Sequence, residues 1–300
     1  MKRNLFTLLV PAILSCIFSA SLFARGSGDK VIYGRDDRLN YSQASQRLRE
    51  LADSTAGMVR KDKLVSSGRF YKFKASQFGG RYVGNMWENG PICMDENFSK
   101  EKTLTDCSGF LIAEDILVTA GHCVRDKKSC STNKWIFGFT NSISNKGKIL
   151  KSDTYSCKKI LKRGDRPKDF AILKLDRKVE DRQPLRYSKS RVKVGDKLIV
   201  IGHPAGLPQK IAAGARVFKV GKNLFKTNLD TFAGSSGSAV FNEASGKVIG
   251  ILVSGSEDFV KDEKEGCFRV NTCANEFSGR DCLGEGVTPI SVIGVSDFIH

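Results

Sequence analysis

The stretch CSGFLIAEDILVTAGHC, residues 107–123, contains two short apolar runs that point to the fold. The runs are Gly109–Ala113 and Ile116–Ala120, and a charged pair separates them. Apolar runs of this length, bounded by polar turn residues, are typical of β-strands, because helices usually need ten or more residues. The stretch therefore predicts two consecutive strands followed by a Gly-His-Cys turn.

Similar runs recur along most of the chain. They are bounded by Gly-, Asp-, Asn- and Lys-rich turns, and they include Trp135–Thr140, Phe170–Leu175, Lys197–Gly202, Ala213–Val220, Ser238–Asn242 and Lys247–Val253. Many short strands at such spacing predict an all-β sandwich or barrels. Ahead of them, apolar residues fall at roughly helical spacing within Ser42–Arg60, which predicts one short amphipathic helix.

Three stretches carry reactive side chains in a fixed order. They are TAGHC at residues 119–123, DFAILKL beginning at Asp169, and GSSGS at residues 234–238. In residues and order they resemble the histidine, aspartate and serine motifs of the chymotrypsin-like serine peptidases. The resemblance covers most of the chain from Cys107 to Ile290, and loosely from Val31. It implies two antiparallel six-stranded β-barrels, with a cleft between them.

The resemblance also implies a catalytic triad of His122, Asp169 and Ser236. A serine hydroxyl is a poor nucleophile until a base takes its proton, and neutral imidazole suits that role. A buried Asp169 would hold His122 in the correct tautomer. The small residues around Ser236 would aim the Gly234 and Ser236 amides at one point as an oxyanion hole, and this chemistry requires no cofactor and no metal.

Substrate preference is predicted from the residues around Ser236. The segment VIYGRDDR at 31–38 and the run GSAVFN resemble bacterial glutamyl endopeptidases, and Thr231 matches their pocket threonine. Leu252, however, occupies the place of their pocket histidine, and Asp230 matches the pocket aspartate of trypsin. A carboxylate would attract Lys and Arg side chains. We therefore expect cleavage after basic residues, with glutamyl specificity as the alternative.

Two further expectations concern binding. Val253, Ser254 and Gly255 are expected to pair with the substrate backbone. The rival from another functional class is a catalytically silent, basic binding or adhesin protein on a peptidase fold. An intact set of motifs argues against that rival, because a binder has no need of all three.

The N-terminus predicts export. Lys2 and Arg3 precede an apolar run, Leu5–Ile17, and small residues follow it, which is the layout of a signal peptide over residues 1–24. We expect an N-terminal segment over 25–90, with a short pro-peptide to residue 30 and a mature start at Val31. The peptidase domain is expected over 91–300, with barrel one to about 180 and barrel two from about 181. The protein would be secreted or periplasmic.

Export favours disulfides among the eight cysteines that follow the signal. The resemblance implies a Cys107–Cys123 pair around His122, and Cys130–Cys157 fits within one barrel. The pairing of the remaining four stays open: Cys93, Cys267, Cys273 and Cys282.

The formal net charge of +17 predicts non-specific association with anionic surfaces. The basic residues are scattered, so no dedicated nucleic-acid binding is expected, and no segment is predicted to span a membrane. Protein or peptide substrates are the expected partners of a monomer.

Overall fold

The structure is a computed structural model that describes residues 31–85, 88–274 and 282–299. The predicted signal peptide lies outside these residues. Within the described ranges the chain forms 24 strands, three α-helices and five short 3-10 helices. None of the helices described there is long and apolar enough to cross a bilayer.

The strands of the first half are β1 (Ile32–Tyr33), β2 (Leu39–Asn40), β3 (Thr55–Arg60), β4 (Leu64–Ser67), β5 (Phe70–Phe73), β6 (Ser76–Gln77), β7 (Tyr82–Gly84), β8 (Asn89–Pro91), β9 (Lys102–Thr103), β10 (Cys107–Ala113), β11 (Ile116–Thr119), β12 (Asn133–Phe137), β13 (Lys148–Leu150), β14 (Thr154–Gly164) and β15 (Phe170–Leu175). The second half contains β16 (Lys197–Gly202), β17 (Lys210–Val220), β18 (Phe225–Thr227), β19 (Ala239–Asn242), β20 (Lys247–Ser254), β21 (Phe259–Asp262), β22 (Cys267–Val270), β23 (Thr272–Cys273) and β24 (Glu285–Pro289). The helices are α1 (Gln46–Asp53), α2 (Lys127–Thr132) and α3 (Asn141–Lys146), and the 3-10 helices are Tyr41–Gln43, Lys61–Lys63, Pro204–Gly206, Ile290–Val292 and Val295–Phe298.

The first barrel is closed in the order β10-β11-β15-β14-β12-β3. Its interior contains fully buried large side chains, among them Leu111, Leu117 and Trp135. Gly109 makes room for this packing, since a Cβ there would lie 2.7 Å from the Trp135 ring. The closed ladder leaves no unpaired edge, which protects the barrel from pairing with other chains.

The second barrel follows the order β16-β19-β20-β24-β18-β17 and is closed by pairing between β16 and β17. Strand β2 adds to β17 on its outside. The core includes Leu198, Phe225, Val240 and Leu252, all fully buried. The predicted all-β fold with two six-stranded antiparallel barrels is confirmed.

The predicted helix over 42–60 is shorter than expected. Helix α1 starts after Ser45, whose hydroxyl accepts from the Leu48 amide, and it ends at Asp53. The chain then enters β3, which pairs with both β10 and β12. These ladders satisfy the backbone hydrogen bonds of residues 55–60 on both sides. This tertiary stabilisation outweighs the helical preference that the spacing of the apolar residues indicates. The first barrel therefore includes residues 55–60, which precede residue 91.

Four disulfides are present among the described residues. They join Cys93 to Cys267, Cys107 to Cys123, Cys130 to Cys157, and Cys273 to Cys282. The first links segments 174 residues apart, and the last links residues 9 positions apart just before β24.

Candidate active site

Strands β11 and β15 bring His122 and Asp169 together. The strands are paired, with Thr119 opposite Ala171, so the turn after β11 meets the residue before β15. The His122 Nδ1 atom lies 2.7 Å from Asp169 Oδ2, and the His122 amide donates to Oδ1 at 3.0 Å. Gly121 permits this approach, because a Cβ there would lie 2.9 Å from Asp169 Oδ1.

The environment of Asp169 keeps it charged. Its side chain is 5% exposed, whereas that of His122 is 36% exposed. Burial alone would raise the pKa of the Asp169 carboxyl, but the hydrogen bonds and charge of His122 outweigh burial and hold that pKa below its ordinary value. A carboxylate accepting at Nδ1 places the proton of neutral His122 there, which leaves the lone pair on Nε2.

Ser236 lies in a tight turn that packs against the β10–β11 hairpin. The Ser236 carbonyl accepts from the Ser108 amide at 2.8 Å. Gly237 adopts a φ of 89°, and a Cβ on it would lie 2.3 Å from the Thr119 hydroxyl. Only glycine fits this contact, and it brings the turn of the second barrel against the strand that leads to His122.

Hydrogen bonds to two backbone carbonyls hold the loop before Ser236 in place. The Ala233 carbonyl accepts from the Ala205 amide at 2.6 Å, and the Gly234 carbonyl accepts from the Ser108 hydroxyl at 2.9 Å. In a trans peptide the C=O and N–H point in opposite directions. The Gly234 N–H is therefore directed away from the Ala205 loop, and a Cβ on Gly234 would lie only 2.9 Å from the His203 carbonyl.

His203 is a structural residue. It is fully buried, and its Nδ1 donates to the Leu207 carbonyl at 3.1 Å. Burial lowers the pKa of His203 to about 4, so the ring is neutral near pH 7.

The residues expected to bind substrate lie in two places, one beside the Ser236 turn and the other at the N-terminal segment. Leu252 is buried in β20, and its carbonyl accepts from the Gly237 amide at 2.7 Å, so the following Val253, Ser254 and Gly255 lie beside the Ser236 turn. The Thr231 hydroxyl donates to Glu285 Oε2 at 2.6 Å.

Asp230 contacts the N-terminal segment instead. Its Oδ1 accepts from the Tyr33 amide at 2.7 Å. Burial raises the pKa of Asp230 to about 7, although the Tyr33 amide and the Arg38 charge act in the opposite direction. Among the described residues, Asp230 lines a cavity with Tyr33, Arg35, Asp37, Ala213, Gly214, Ala215 and Asn228.

Part of the chain matches a known protein family. Residues 107–251 match the family model of the trypsin-like peptidase domain. The matched segment contains His122, Asp169 and Ser236 together. This segment is similar to the trypsin-like peptidase domain. The match spans just under half of the chain.

Individual proteins resemble parts of the chain. A probable periplasmic serine endoprotease DegP-like protein of Rhizobium meliloti (strain 1021) is 32% identical over 152 residues, which cover 48% of this chain and 27% of that protein. The structure of a Glu endopeptidase in complex with MPD has a TM-score of 0.47 and 18% identity, covering 89% of this chain and 96% of that one. Neuropsin, a serine protease expressed in mouse brain, has a TM-score of 0.45 and 15% identity, covering 64% of this chain and 87% of that one.

Within the described residues, one group of potential metal ligands includes His122 of the candidate site. Side-chain atoms of Cys107, His122 and Cys123 lie within 4.8 Å of one another. Because the two sulfur atoms form a disulfide, they offer no thiolate to a metal.

Sequence reasoning missed two residues that contact the candidate site. Ser108 belongs to the quoted hairpin, but its contact with the Gly234 loop spans 126 residues. Glu285 gives a fainter signal, a single acid at the start of the run EGVTPI, and it is fully buried. A buried carboxylate is uncommon enough to mark a site for inspection.

Proposed function

We propose that the protein is an exported serine endopeptidase that hydrolyses peptide bonds through an acyl-enzyme. The observation that carries the proposal is the 2.7 Å contact between His122 Nδ1 and Asp169 Oδ2, at the junction where the Ser236 turn packs. The trypsin-like peptidase domain over residues 107–251 supports it.

In the proposed mechanism, His122 Nε2 takes the proton of the Ser236 hydroxyl as Oγ attacks the substrate carbonyl. His122 then gives this proton to the leaving amine, and Asp169 stabilises the imidazolium. Water attacks the acyl-enzyme with His122 again as base, and Ser236 is regenerated.

The Gly234 and Ser236 amides stabilise the developing oxyanion. Such a donor stabilises the transition state by roughly 3–4 kcal/mol in comparable sites. The anchored Ala233 and Gly234 carbonyls support this role, because the loop pays little reorganisation cost when charge develops.

The proposed preference is for Lys or Arg before the scissile bond. The Glu285 carboxylate, whose Oε2 accepts from the Thr231 hydroxyl, supports it. Apolar Leu252 offers no cation to a glutamate side chain. Negative potential near the pocket would also repel a glutamate substrate.

Export and a mature start at Val31 belong to the same proposal. Four disulfides among the described residues suit an oxidising compartment. Val31 and Ile32 are fully buried and β1 pairs with β23, which supports a retained segment beginning there. Lys30 precedes it, so an enzyme with basic specificity could cut this bond itself.

The test is digestion of a denatured protein mixture by the mature protein, with cleavage sites read by mass spectrometry. Ser236→Ala is the inactive variant, and Ser190→Ala, at an exposed serine, is the matched control. We expect cuts after Lys and Arg that vanish only in Ser236→Ala. Serine-dependent cuts after Glu would favour a glutamyl endopeptidase. Equal behaviour of all three proteins, with no labelling by a fluorophosphonate, would favour a silent binding protein.

A further inference from the structure

The turn before Ser236 has two backbone states open to it. The Ser235 amide donates to the Phe232 carbonyl at 2.9 Å, which closes a β-turn with Ala233 and Gly234 at its centre. Gly234 has a φ of 95°, as in a type II turn. A type I turn needs a negative φ there and turns the central peptide plane over by roughly 180°. The direction of the Gly234 N–H, the proposed oxyanion donor, therefore depends on which turn forms.

The Ala205 amide favours the observed state of this turn. It donates to the Ala233 carbonyl at 2.6 Å. In the flipped state the Gly234 N–H would face the Ala205 N–H, and both donors would lack this acceptor. Ala205 has a φ of 50°, in the left-handed region that residues other than glycine rarely adopt. Contacts from other parts of the chain must therefore hold Ala205 in place.

Arg81 makes one of these contacts. Its Nη1 atom donates to the Ala205 carbonyl at 2.5 Å. A hydrogen bond from a charged guanidinium is stronger than one between neutral groups. Arg81 directly precedes β7, so it lies outside residues 107–251, the range that matches the family model. The support for Ala205 thus comes from the N-terminal part of the chain.

Phe78, three residues before Arg81, packs against the same turn. The Phe78 and Phe232 rings are stacked, with their centroids 6.3 Å apart, and both side chains are fully buried. The Phe259 ring packs against both of them, at 6.1 Å from Phe78 and 5.2 Å from Phe232. Because Phe232 directly precedes Ala233, this aromatic contact holds the first residue of the turn.

The four residues 78–81, here called the β6–β7 link, are themselves well anchored. The amides of all four donate to backbone carbonyls at distances between 2.7 and 3.2 Å. The acceptors are the carbonyls of Glu101, Ser99, Ile92 and Phe78. Cys93, which follows Ile92, is joined to Cys267 by a disulfide. A link fixed in this way provides a rigid support for the loops that it contacts.

We propose that the β6–β7 link orients the oxyanion donor of the active site. Arg81 acts through Ala205, and Phe78 acts through Phe232. Both are positioning residues that keep the Gly234 N–H directed at the developing charge. The inference rests on the proposed peptidase function and adds to it a control of catalysis by the N-terminal part of the chain.

Steady-state hydrolysis of a peptide that the wild type cleaves tests the proposal. In Arg81→Ala we expect kcat to fall about 10-fold with unchanged KM, because an oxyanion donor acts on the transition state alone. Arg81→Lys keeps a charged donor and should recover part of this loss. The matched control is Arg191→Ala, at an exposed arginine before β16, which should keep the wild-type kcat.

A peptide boronate reports on the same donor without turnover, because it forms a reversible tetrahedral adduct with the Ser236 hydroxyl. Its inhibition constant should rise about 10-fold in Arg81→Ala. The parent peptide should bind equally well to Ser236→Ala and to Ser236→Ala combined with Arg81→Ala. Phe78→Leu should lower kcat about 3-fold, the scale of a lost aromatic pair. Melting followed by circular dichroism is the folding control for each variant.

Three results would overturn the proposal. Equal kcat values in Arg81→Ala and Arg191→Ala, with an active wild type, would refute the positioning role and leave the peptidase function standing. A rise in KM alone, with wild-type affinity for the boronate, would assign Arg81 to substrate binding instead. Absence of both cleavage and fluorophosphonate labelling in the wild type would refute the peptidase function itself, and this inference with it.

Discussion

At the scale of single residues, the candidate active site depends on side chains that hold others in place. Ser108 shows this most directly. Its hydroxyl donates to the Gly234 carbonyl at 2.9 Å and accepts from the His203 amide at 2.9 Å. One buried hydroxyl therefore joins β10, the His203 loop and the proposed oxyanion loop.

Replacing Ser108 with Ala should reduce kcat by about 10-fold to 100-fold with little change in KM, because a loosened Gly234 amide stabilises the transition state less well. The matched control is Ser54→Ala, which removes another buried hydroxyl donor in the first barrel, to the Gln183 carbonyl. Both variants should lose about 1–3 kcal/mol of stability. Peptide hydrolysis and urea denaturation measure the two effects. An equal kcat in Ser108→Ala and Ser54→Ala would contradict the role of Ser108 in holding the Gly234 amide in place.

The pKa of Asp230 leads to a separate prediction, about how the free energy of unfolding depends on pH. Its folded pKa of about 7 lies above the ordinary 3.8, so the native state keeps a proton that the unfolded chain releases between these values. The free energy of unfolding should therefore fall as pH rises from about 4 to about 7, by at most about 4 kcal/mol from this group.

Asp230→Asn should remove that part of the pH dependence, because the amide oxygen can still accept from Tyr33 without titrating. Urea unfolding at pH 4 and pH 8 tests this. The variant should gain stability relative to the wild type at pH 8. The control is Asp181→Asn, whose side chain is 61% exposed. A constant difference between wild type and Asp230→Asn at both pH values would sink the prediction.

At the scale of elements, local signals in the sequence were sufficient for some strands and not for others. The β10–β11 hairpin could be predicted because its two apolar runs and its turn are adjacent. The strand β3 could not, because Ala56 and Met58 fit a helical spacing as well as a strand. Partners far along the chain decide the outcome there, since Met58 lies opposite both Cys107 and Trp135.

The residues of the candidate site also differ in whether the sequence alone could predict them. His122, Asp169 and Ser236 could be proposed because each lies in a short motif with its own residue pattern. Glu285 could not, because its contact with Thr231 joins residues 54 positions apart. A resemblance at the Asp230 position gave no information about the Tyr33 amide, which lies 197 residues away in sequence.

Two disulfides of the first barrel, with sequence separations of 16 and 27, should differ in their effect on kcat. Cys107–Cys123 encloses β10, β11 and His122, whereas Cys130–Cys157 joins α2 to β14. Replacing either pair with Ser should cost about 2–4 kcal/mol of stability. Only Cys107→Ser with Cys123→Ser should also lower kcat, because Cys123 directly follows His122. Equal kcat values in the two double variants, measured well below their melting temperatures, would refute this distinction.

At the scale of the whole molecule, the N-terminal segment belongs to both barrels. Strand β3 closes the first barrel, and β2 extends the second through its pairing with β17. The Tyr33 amide adds a buried hydrogen bond to Asp230. A chain that begins at residue 91, the start expected for the peptidase domain from sequence, lacks all three.

We therefore expect protein 31–300 to unfold cooperatively and protein 91–300 not to fold. Without β3, the backbone groups of β10 and β12 that face it lose their partners, and each buried polar group left unpaired costs about 1–3 kcal/mol. Few domains have a net stability that survives several such losses, since totals are typically about 5–15 kcal/mol. Circular dichroism melting and limited proteolysis of the two proteins give the comparison. A cooperative transition in protein 91–300 would show that barrel one closes without β3. Adding a peptide of residues 31–60 to the shorter protein is the complementary test, because recovery of the transition would assign the defect to this segment alone.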